Sequence, residues 1–291
     1  MHSFQNSKRI GAHTMTHSNK LNNQPATDDN GLYIHPTFQK AQAYMQYALI
    51  QGEGIVLVTG EPGIGKTALV ARVINEHADH SLNFNAIECA RFSGTDLLNQ
   101  YAELCEIESE VRTVPALMRE LSIHFKEMQK RGKRSVLLLD EAHLLSDDAL
   151  ETVRLLSNQQ LDGAPLVQIF LVGQPMLRAR LLTAELTQLH QRIIATCNID
   201  PLDTEDTEGY VLQQLTAVNW NPAAGIADGV FRAIHSASLG IPRWINLICN
   251  RMMIHAIATD RLQIEMDDIC EVLRDLMNED LLPEKVRMAN R

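Results

Sequence analysis

The residues with the clearest chemical potential lie in the octapeptide GEPGIGKT, which begins at Gly60 and ends at Thr67. This spacing, G-x-x-x-x-G-K-[ST], suits phosphate binding, because glycines let backbone N–H groups surround an anion without a Cβ in the way. Lys66 supplies a positive charge for the β- and γ-phosphates of a nucleotide, and the hydroxyl of Thr67 can bind Mg²⁺. A glycine-rich turn that happens to contain a lysine is the alternative interpretation.

The flanking sequence favours the phosphate site over the plain turn. Residues 54–60, GIVLVTG, are apolar without polar alternation, which predicts a strand buried on both faces of a parallel sheet. Residues 66–78, KTALVARVINEHA, carry apolar side chains at helical spacing, and a helix N-terminus attracts anions. We therefore expect the phosphate-binding site to consist of Gly60, Glu61, Pro62, Gly63, Ile64, Gly65, Lys66, Thr67 and Ala68.

A pair of carboxylates follows a second apolar run. In VLLLDEAH, Asp140 and Glu141 come directly after a predicted strand, at the edge where open α/β sheets bind ligands. Two acids in a surface loop are the alternative, but the apolar residues before them argue against it. We expect Asp140 to hold Mg²⁺ together with Thr67, and Glu141 to polarise the water that attacks the phosphate.

Three further polar residues suit a phosphoryl-transfer site. Gln174 follows the apolar run IFLVG and can hydrogen-bond a γ-phosphate or a water, although a turn residue before Pro175 is the alternative. Arg192 precedes the last predicted strand, and Arg243 lies just inside a helix that starts at Pro242. Arginine stays charged and grips phosphate oxygens with a planar fork, while an ordinary surface arginine is the alternative at either position.

These residues need a scaffold, and the sequence predicts alternating strands and helices followed by helices alone. Strands are predicted at residues 54–60, 83–89, 135–140, 166–173 and 195–202, and helices at 37–51, 66–78, 94–105, 114–132, 147–159, 204–218, 228–238, 242–258 and 266–280, with helical turns through Leu189 before the last strand. The pattern indicates an α/β fold with a central parallel sheet flanked by helices, followed by a small all-helical subdomain. The predicted divisions are a flexible N-terminal tail at 1–30, an α/β nucleotide-binding domain at 31–202, a helical lid at 203–280 and a C-terminal tail at 281–291.

Length and composition fit a globular protein, with 291 residues and 45% hydrophobic content. No apolar segment approaches the roughly 20 residues of a membrane-spanning helix, and no signal-peptide pattern opens the sequence, so we expect a cytoplasmic protein without a membrane span. The five cysteines are scattered without a C-x-x-C pair, which argues against disulfides and zinc. The net charge of -10 argues against a surface that coats DNA globally and permits only local contact with nucleic acid.

Five motifs occur in the order GEPGIGKT, LLLDEAH, LVGQP, HQRI and GIPRWIN, and with them the chain resembles the AAA+ ATPases. Within these it is similar to the ExeA-like (general secretion pathway protein A) group and, more distantly, to the TnsC/TniB transposition ATPases. The resemblance covers about residues 33–258. It implies a P-loop NTPase fold, ATP and Mg²⁺ as cofactors, and hydrolysis of ATP as the activity.

The resemblance also implies a role for the residues near the nucleotide. Residues 60–67 correspond to the Walker A motif, Asp140 and Glu141 to Walker B, and Gln174 to sensor 1. The segment LYIHPTFQKA, which follows the predicted tail, is similar to the family's entry segment near the adenine. These roles agree with the chemistry that the residue types suggest on their own.

Two arginines complete the resemblance. Arg192 is similar to the arginine finger that acts on the ATP of a neighbouring subunit, and Arg178 and Arg180 remain as alternatives for that finger. Arg243 is similar to sensor 2 on the lid. A finger that acts in trans implies a homo-oligomer, either a ring or a filament, that forms with ATP.

Two functions remain open from the sequence. In the first, ATP drives an assembly that acts on protein partners of unknown identity in a secretion, pilus or export-type system. In the second, the assembly binds DNA in a transposition- or defence-type system and recruits a transposase or nuclease. The acidic balance and the closer match of LVGQP and GIPRWIN to ExeA-like chains favour the first.

Overall fold

The structure is a computed structural model that describes residues 33–77, 81–108, 110–218, 220, 225–261, 263–283 and 286. The predicted tail at residues 1–30 lies outside these ranges, as do most residues of the predicted tail at 281–291. The strands are β1 (Ile55–Gly60), β2 (Leu82–Glu88), β3 (Arg134–Asp140), β4 (Gln160–Leu161), β5 (Ala164–Pro165), β6 (Val167–Gly173) and β7 (Ile193–Ile199). The helices are α1 (Pro36–Gln51), α2 (Lys66–Glu76), α3 (Gly94–Leu104), α4 (Val114–Lys130), α5 (Asp147–Ser157), α6 (Pro175–Leu181), α7 (Thr187–His190), α8 (Thr204–Ala217), α9 (Asp228–Ser238), α10 (Pro242–Ala258) and α11 (Met266–Asn278).

A five-stranded sheet with the order β2-β3-β6-β1-β7 forms the centre of the fold. All neighbouring pairs in this sheet are parallel. Because the strands run the same way, the residues that follow β1, β3 and β6 meet at one edge of the sheet. The predicted α/β fold, with a central parallel sheet, flanking helices and a C-terminal helical region, is confirmed.

Two hydrophobic layers hold this edge in place. Every residue of β1 is buried, and its side chains alternate between the two faces of the sheet. Ile55 and Leu57 pack in a cluster with α3, α4 and α5, whereas Val56 and Val58 pack with α1 and α2. The apolar run without polar alternation is explained by this burial on both faces.

The C-terminal helices have a hydrophobic cluster of their own, drawn from α8, α9, α10 and α11. Contacts that tie them to the sheet include a hydrogen bond from the Leu202 N–H to the Gly240 carbonyl at 2.9 Å and the packing of Ile241 in the cluster of β1 and α2. Gly240 has a φ of 69°, and a Cβ there would lie 2.0 Å from the Leu202 oxygen. Glycine therefore permits the close approach that places the start of α10 beside the sheet.

Two details differ from the sequence prediction. The last strand runs over Ile193–Ile199 instead of residues 195–202, because Ile193 already pairs with Ile55 of β1 and Pro201 has no N–H for the ladder. The short antiparallel hairpin of β4 and β5 was not predicted. Its turn is Asp162-Gly163, with φ values of 53° and 83°, and such a dipeptide is the signal that could have revealed it.

In the part of the chain that the structure describes, no helix combines the length and the apolar character needed to cross a bilayer.

Candidate functional site

The loop GEPGIGKT joins the last residue of β1 to the first residue of α2. Gly63 and Gly65 have φ values of 80° and 104°, a region that glycine adopts without steric cost. A Cβ on Gly65 would meet no other atom within 4 Å, so this position needs glycine for its backbone conformation, and the space beside it is open. The loop therefore leads directly into the N-terminus of α2, the arrangement that suits an anion, and phosphate binding there stays a prediction.

Lys66 is held inside this loop. Its side chain is buried, and Nζ donates hydrogen bonds to the carbonyl oxygens of Gly60 and Glu61, each at 3.1 Å. Burial lowers the pKa of Lys66, while the carboxylates of Glu141, Asp140 and Glu61 act in the opposite direction. The ammonium is therefore positioned at the loop by backbone acceptors and lies in the field of the acidic pair after β3.

The hydroxyl of Thr67 donates a hydrogen bond to Oδ2 of Asp140 at 2.7 Å. This contact joins the first turn of α2 to the end of β3, and it brings together the two residues predicted to hold Mg²⁺. A hydroxyl and a carboxylate oxygen are hard ligands, which suit Mg²⁺ when phosphate oxygens complete the coordination. Among the described residues, no group of three or more His, Cys, Asp or Glu side chains offers an alternative metal site.

Glu141 follows Asp140 at the carboxyl edge of the sheet and has a left-handed backbone conformation, with φ 52° and ψ 32°. Its N–H donates to Oδ1 of Asp140 at 2.8 Å, which fixes the turn after β3. The Glu141 carboxylate is 38% exposed and lies 3.2 Å from Nδ1 of His143. A partly exposed carboxylate at this edge is accessible to water, as a general base requires.

Gln174 immediately follows β6, the strand that lies between β1 and β3 in the sheet. It occupies the N-cap position of α6, and Pro175 is the first residue of that helix. The carboxyl ends of β1 and β3 carry the phosphate loop and the acidic pair, so Gln174 lies between them at the same edge. The topology thus brings Gln174 to the site that the sequence predicts for it.

Arg243 contacts the phosphate loop through its backbone. Its N–H lies 3.3 Å from the Gly63 carbonyl as a hydrogen-bond donor, and a Cβ on Gly63 would be 2.6 Å from the Arg243 Cβ. The helix α10 begins at Pro242, as predicted. The first turn of α10 and the phosphate loop are therefore in direct contact, and only glycine fits at position 63.

Arg192 lies at the opposite edge of the sheet from the phosphate loop. The Ile55 N–H donates to the Arg192 carbonyl at 3.0 Å, and Ile193 pairs with Ile55 at the start of the parallel strand β1. The phosphate loop begins at Gly60, the other end of β1, which is about 17 Å from Ile55 at about 3.3 Å per residue. The structure therefore does not bring Arg192 to the phosphate loop of its own chain.

Arg180 and Arg178, the two alternative candidates for the arginine finger, differ in their contacts. The guanidinium of Arg180 donates to the carbonyls of His143 and Leu145, at 2.8 and 2.9 Å, and to the Asp147 carboxylate at 2.6 Å. These bonds occupy Arg180 within its own chain, at the turn that follows the acidic pair. Arg178 is exposed on α6.

Another contact, which the sequence did not reveal, joins the entry segment to α8. The hydroxyl of Tyr33 donates to Oδ1 of Asp206 at 3.2 Å, and its ring packs edge-to-face on Tyr210 with the centroids 5.6 Å apart. Burial and the nearby Asp206 raise the pKa of the Tyr33 phenol, so it remains a neutral donor. The sequence alone does not reveal this pairing, because Tyr33 and Asp206 are 173 residues apart in the chain.

Comparison with known proteins identifies the fold and the family of the chain. A family model described as an AAA domain matches residues 49–181. Solved structures with the same fold include the ORC2 protein of Aeropyrum pernix, with a TM-score of 0.61 and 14% identity over 88% of this chain and 70% of that one. The RuvB Holliday junction branch migration motor of Thermotoga maritima gives 0.57 and 18% identity over 90% and 76%.

A protein of similar sequence identifies the family of the chain. General secretion pathway protein A of Aeromonas hydrophila is 34% identical over 247 residues, which cover 82% of this chain and 43% of that protein. The present chain therefore matches less than half the length of that relative. With this identity over most of its length, the AAA domain match and the AAA+ fold, the chain belongs to the AAA+ ATPases, in the ExeA-like group of general secretion pathway protein A.

Proposed function

We propose that the chain binds ATP with Mg²⁺, hydrolyses the ATP, and acts as an oligomeric motor or switch on protein partners. The observation that carries this proposal is the hydrogen bond between Thr67 and Asp140, at 2.7 Å. It joins the two halves of a phosphoryl-transfer site that are 73 residues apart in sequence. Lys66 and Glu141 flank this contact, so positive charge for the phosphates and a base for water lie on either side of it.

Each residue has a distinct task in the proposed reaction. The loop N–H groups and Lys66 bind the phosphates, and Thr67 and Asp140 hold the metal. Bound Mg²⁺ supplies positive charge that offsets the negative charge on the phosphate oxygens. Glu141 accepts a proton from the attacking water, and Gln174 orients that water or the γ-phosphate by hydrogen bonding.

The placement of Arg192 supports action on a neighbouring subunit. Arg192 lies at the far end of β1 from the phosphate loop of its own chain, and this distance favours a nucleotide bound by a neighbouring copy as its target. A guanidinium contributed in this way stabilises charge that develops in the transition state. Hydrolysis then depends on assembly, as expected for a ring or filament with repeating head-to-tail contacts.

The contact between Arg243 and Gly63 supports a link between nucleotide and lid. If the Arg243 side chain binds the γ-phosphate, ATP fixes the lid against the sheet and ADP does not. We predict a monomer or small oligomer without nucleotide and larger assemblies with ATP or a slowly hydrolysed analogue. Arg243→Ala should bind nucleotide more weakly and fail to assemble, as measured by sedimentation velocity over a wide range of protein concentration.

The matched control for this prediction is Arg251→Ala on the same helix. Arg251 forms an exposed ion pair with Glu279, and such pairs contribute little to stability. Arg251→Ala should therefore assemble as the wild type does. Sedimentation profiles that are the same with the ATP analogue, with ADP and without nucleotide would contradict the proposed switch.

The pathway is proposed from the sequence relative. Identity of 34% to general secretion pathway protein A favours protein partners in a secretion, pilus or export-type assembly. The chain matches 43% of that relative, so the partners of the whole protein need not be the same. Pull-down of partners with Glu141→Gln and ATP, compared with ADP, tests whether the assembled state binds them.

A DNA-dependent role is the second candidate. A fold neighbour is a Holliday junction branch migration motor, and the basic run at residues 130–134 is exposed. The net charge of -10 disfavours this candidate, so we predict that DNA binding with ATP analogue will be weak and insensitive to salt. Binding that weakens steeply from about 50 to 200 mM salt would instead indicate phosphate contacts and support the DNA-dependent role.

A further inference from the structure

His143 lies beside the proposed catalytic base. Its side chain is 7% exposed, and Nδ1 is 3.2 Å from Oε2 of Glu141, although the two atoms are not aligned as a hydrogen bond. Nδ1 has no other hydrogen-bond partner among the described residues. Contacts between catalytic groups are often poorly aligned in the free enzyme and tighten when substrate binds. A buried ring nitrogen thus faces the carboxylate that must orient towards water.

The position of His143 is fixed by the strand and helix that carry Gln174. The backbone carbonyl of His143 accepts a hydrogen bond from Arg180 of α6 at 2.8 Å. Its ring packs against Gly173 at the end of β6, where a Cβ would lie 3.5 Å from Nδ1 and 3.2 Å from the His143 nitrogen of the main chain. The main chain of His143 is therefore held by α6, and its imidazole lies against the end of β6.

Glu141, in contrast, has few contacts that fix its side chain. Its backbone conformation is set by the turn, but its carboxylate is 38% exposed. In the part of the chain that the structure describes, His143 is the one residue in ion-pair contact with that carboxylate. A mobile base lowers the fraction of time in which water and carboxylate are correctly aligned.

We propose that His143 is a positioning residue for Glu141: its Nδ1–H donates to the carboxylate and holds it in the orientation that accepts a proton from water. The proposal rests on the proposed hydrolysis of ATP and deepens it. It also connects Gln174 with the base Glu141. Gln174 lies between β6 and α6, and both of these elements contact His143. In this proposal His143 acts through Glu141 and not by binding the nucleotide.

Asparagine and glutamine substitutions separate positioning from packing. The Asn amide reproduces the place of Nδ1 on the histidine ring, whereas the Gln amide reproduces that of Nε2 and fills more of the ring's volume. We predict that His143→Ala and His143→Gln lower kcat by up to about 100-fold. His143→Asn should keep most of the activity, and nucleotide affinity should be unchanged in all three.

Leu144→Ala is the matched control, because Leu144 belongs to the same turn and is 40% exposed. It should keep the wild-type kcat. A His143→Ala protein with full kcat would overturn the proposal, and so would a His143→Gln protein that equals or exceeds His143→Asn. If His143→Ala does not fold, as judged by thermal unfolding, the kcat values of His143→Asn and His143→Gln decide between positioning and packing.

A second measurement does not depend on turnover. The imidazole ¹H–¹⁵N signals of His143, assigned by their loss in His143→Asn, should shift in Glu141→Gln and stay unchanged in Leu144→Ala. Signals that do not respond to Glu141→Gln would overturn the proposed contact. A wild-type protein without ATP hydrolysis, but with the expected shift, would count against the proposed function and leave the contact supported.

Discussion

Lys66→Ala is expected to bind nucleotide much more weakly, whereas Glu141→Gln is expected to keep nucleotide binding and to lose most of its turnover. The first change removes the ammonium that the loop carbonyls of Gly60 and Glu61 hold in place. A hydrogen bond to a charged group is worth about 1.5–3 kcal/mol, so affinity should fall by roughly 10- to 150-fold. The second change keeps the size of the side chain but removes its basicity, which should lower kcat by about 10²–10⁴-fold.

Two assays with one control separate these effects. Nucleotide affinity is measured by equilibrium binding of a fluorescent ATP analogue, and turnover by release of phosphate. Glu127→Gln, the same chemical change at an exposed position on α4, should leave both unchanged. Equal ATP affinity in wild type and Lys66→Ala would be decisive against the phosphate site. Undiminished hydrolysis by Glu141→Gln would remove only the assignment of the base.

The strands and helices around the candidate site are predictable from the sequence because each is encoded within a short window. The phosphate loop is recognisable because a buried strand, three glycines and a helix follow one another in residues 54–78. Helix periodicity and apolar runs depend on neighbouring residues, and they gave most element boundaries within a few positions. The five parallel strands followed from the same local patterns.

Contacts between distant segments were not predictable in the same way. The link from Arg243 to the Gly63 carbonyl depends on how the first turn of α10 docks, and no residue type specifies a backbone hydrogen bond. The pairing of Tyr33 with Asp206 depends likewise on the relative placement of the entry segment and α8. Such contacts are set by packing over the whole fold and leave little trace in the local pattern.

The boundary of β7 shows how tertiary pairing overrides a local pattern. Residues 200–202 continue the apolar and polar pattern far enough to suggest a longer strand, yet pairing with β1 ends at Gly60 and Ile199. The same ladder begins earlier than predicted, at Ile193, because β1 offers a partner there. Strand ends are therefore decided by the length of the neighbouring strand, which only the assembled sheet reveals.

The turn after β3 shows a different limit of sequence-based prediction. The string DEAH shows an acid pair after a strand, but it does not show the left-handed backbone at Glu141 or the imidazole beside its carboxylate. Non-glycine residues seldom adopt that conformation, and it persists where surrounding contacts enforce it. Here the Asp140 carboxylate and the turn clamped by Arg180 supply those contacts.

Arg192→Ala is expected to lower ATP hydrolysis by about 10³-fold or more without weakening nucleotide binding in the isolated subunit. The reason is geometric: Arg192 lies beside Ile55, at the opposite end of β1 from the phosphate loop. Its charge can therefore stabilise the transition state only at the site of a neighbour. The loss should appear in kcat, because the contact is made where charge develops during reaction.

Mixing two inactive variants tests this placement directly. Glu141→Gln has an intact finger and an inactive site, while Arg192→Ala has an intact site and no finger. In a randomly mixed equimolar assembly, roughly a quarter of the interfaces pair the intact site with the intact finger, so turnover should recover to a similar fraction of wild type. Phosphate release is measured across mixing ratios, with the maximum expected near equal amounts.

Arg178→Ala provides the matched control, because Arg178 is an exposed arginine on α6 and one of the two alternative candidates for the finger. It should hydrolyse ATP by itself at the wild-type rate. An inactive Arg178→Ala that recovers when mixed with Glu141→Gln would transfer the finger to Arg178. No recovery with Arg192→Ala, although light scattering shows that the two variants assemble together, would mean that Arg192 serves its own subunit by packing at the start of β7. If turnover recovers only when Glu141→Gln is mixed with Arg192→Ala, the active site is completed at the interface between subunits. The rate of hydrolysis then depends on assembly.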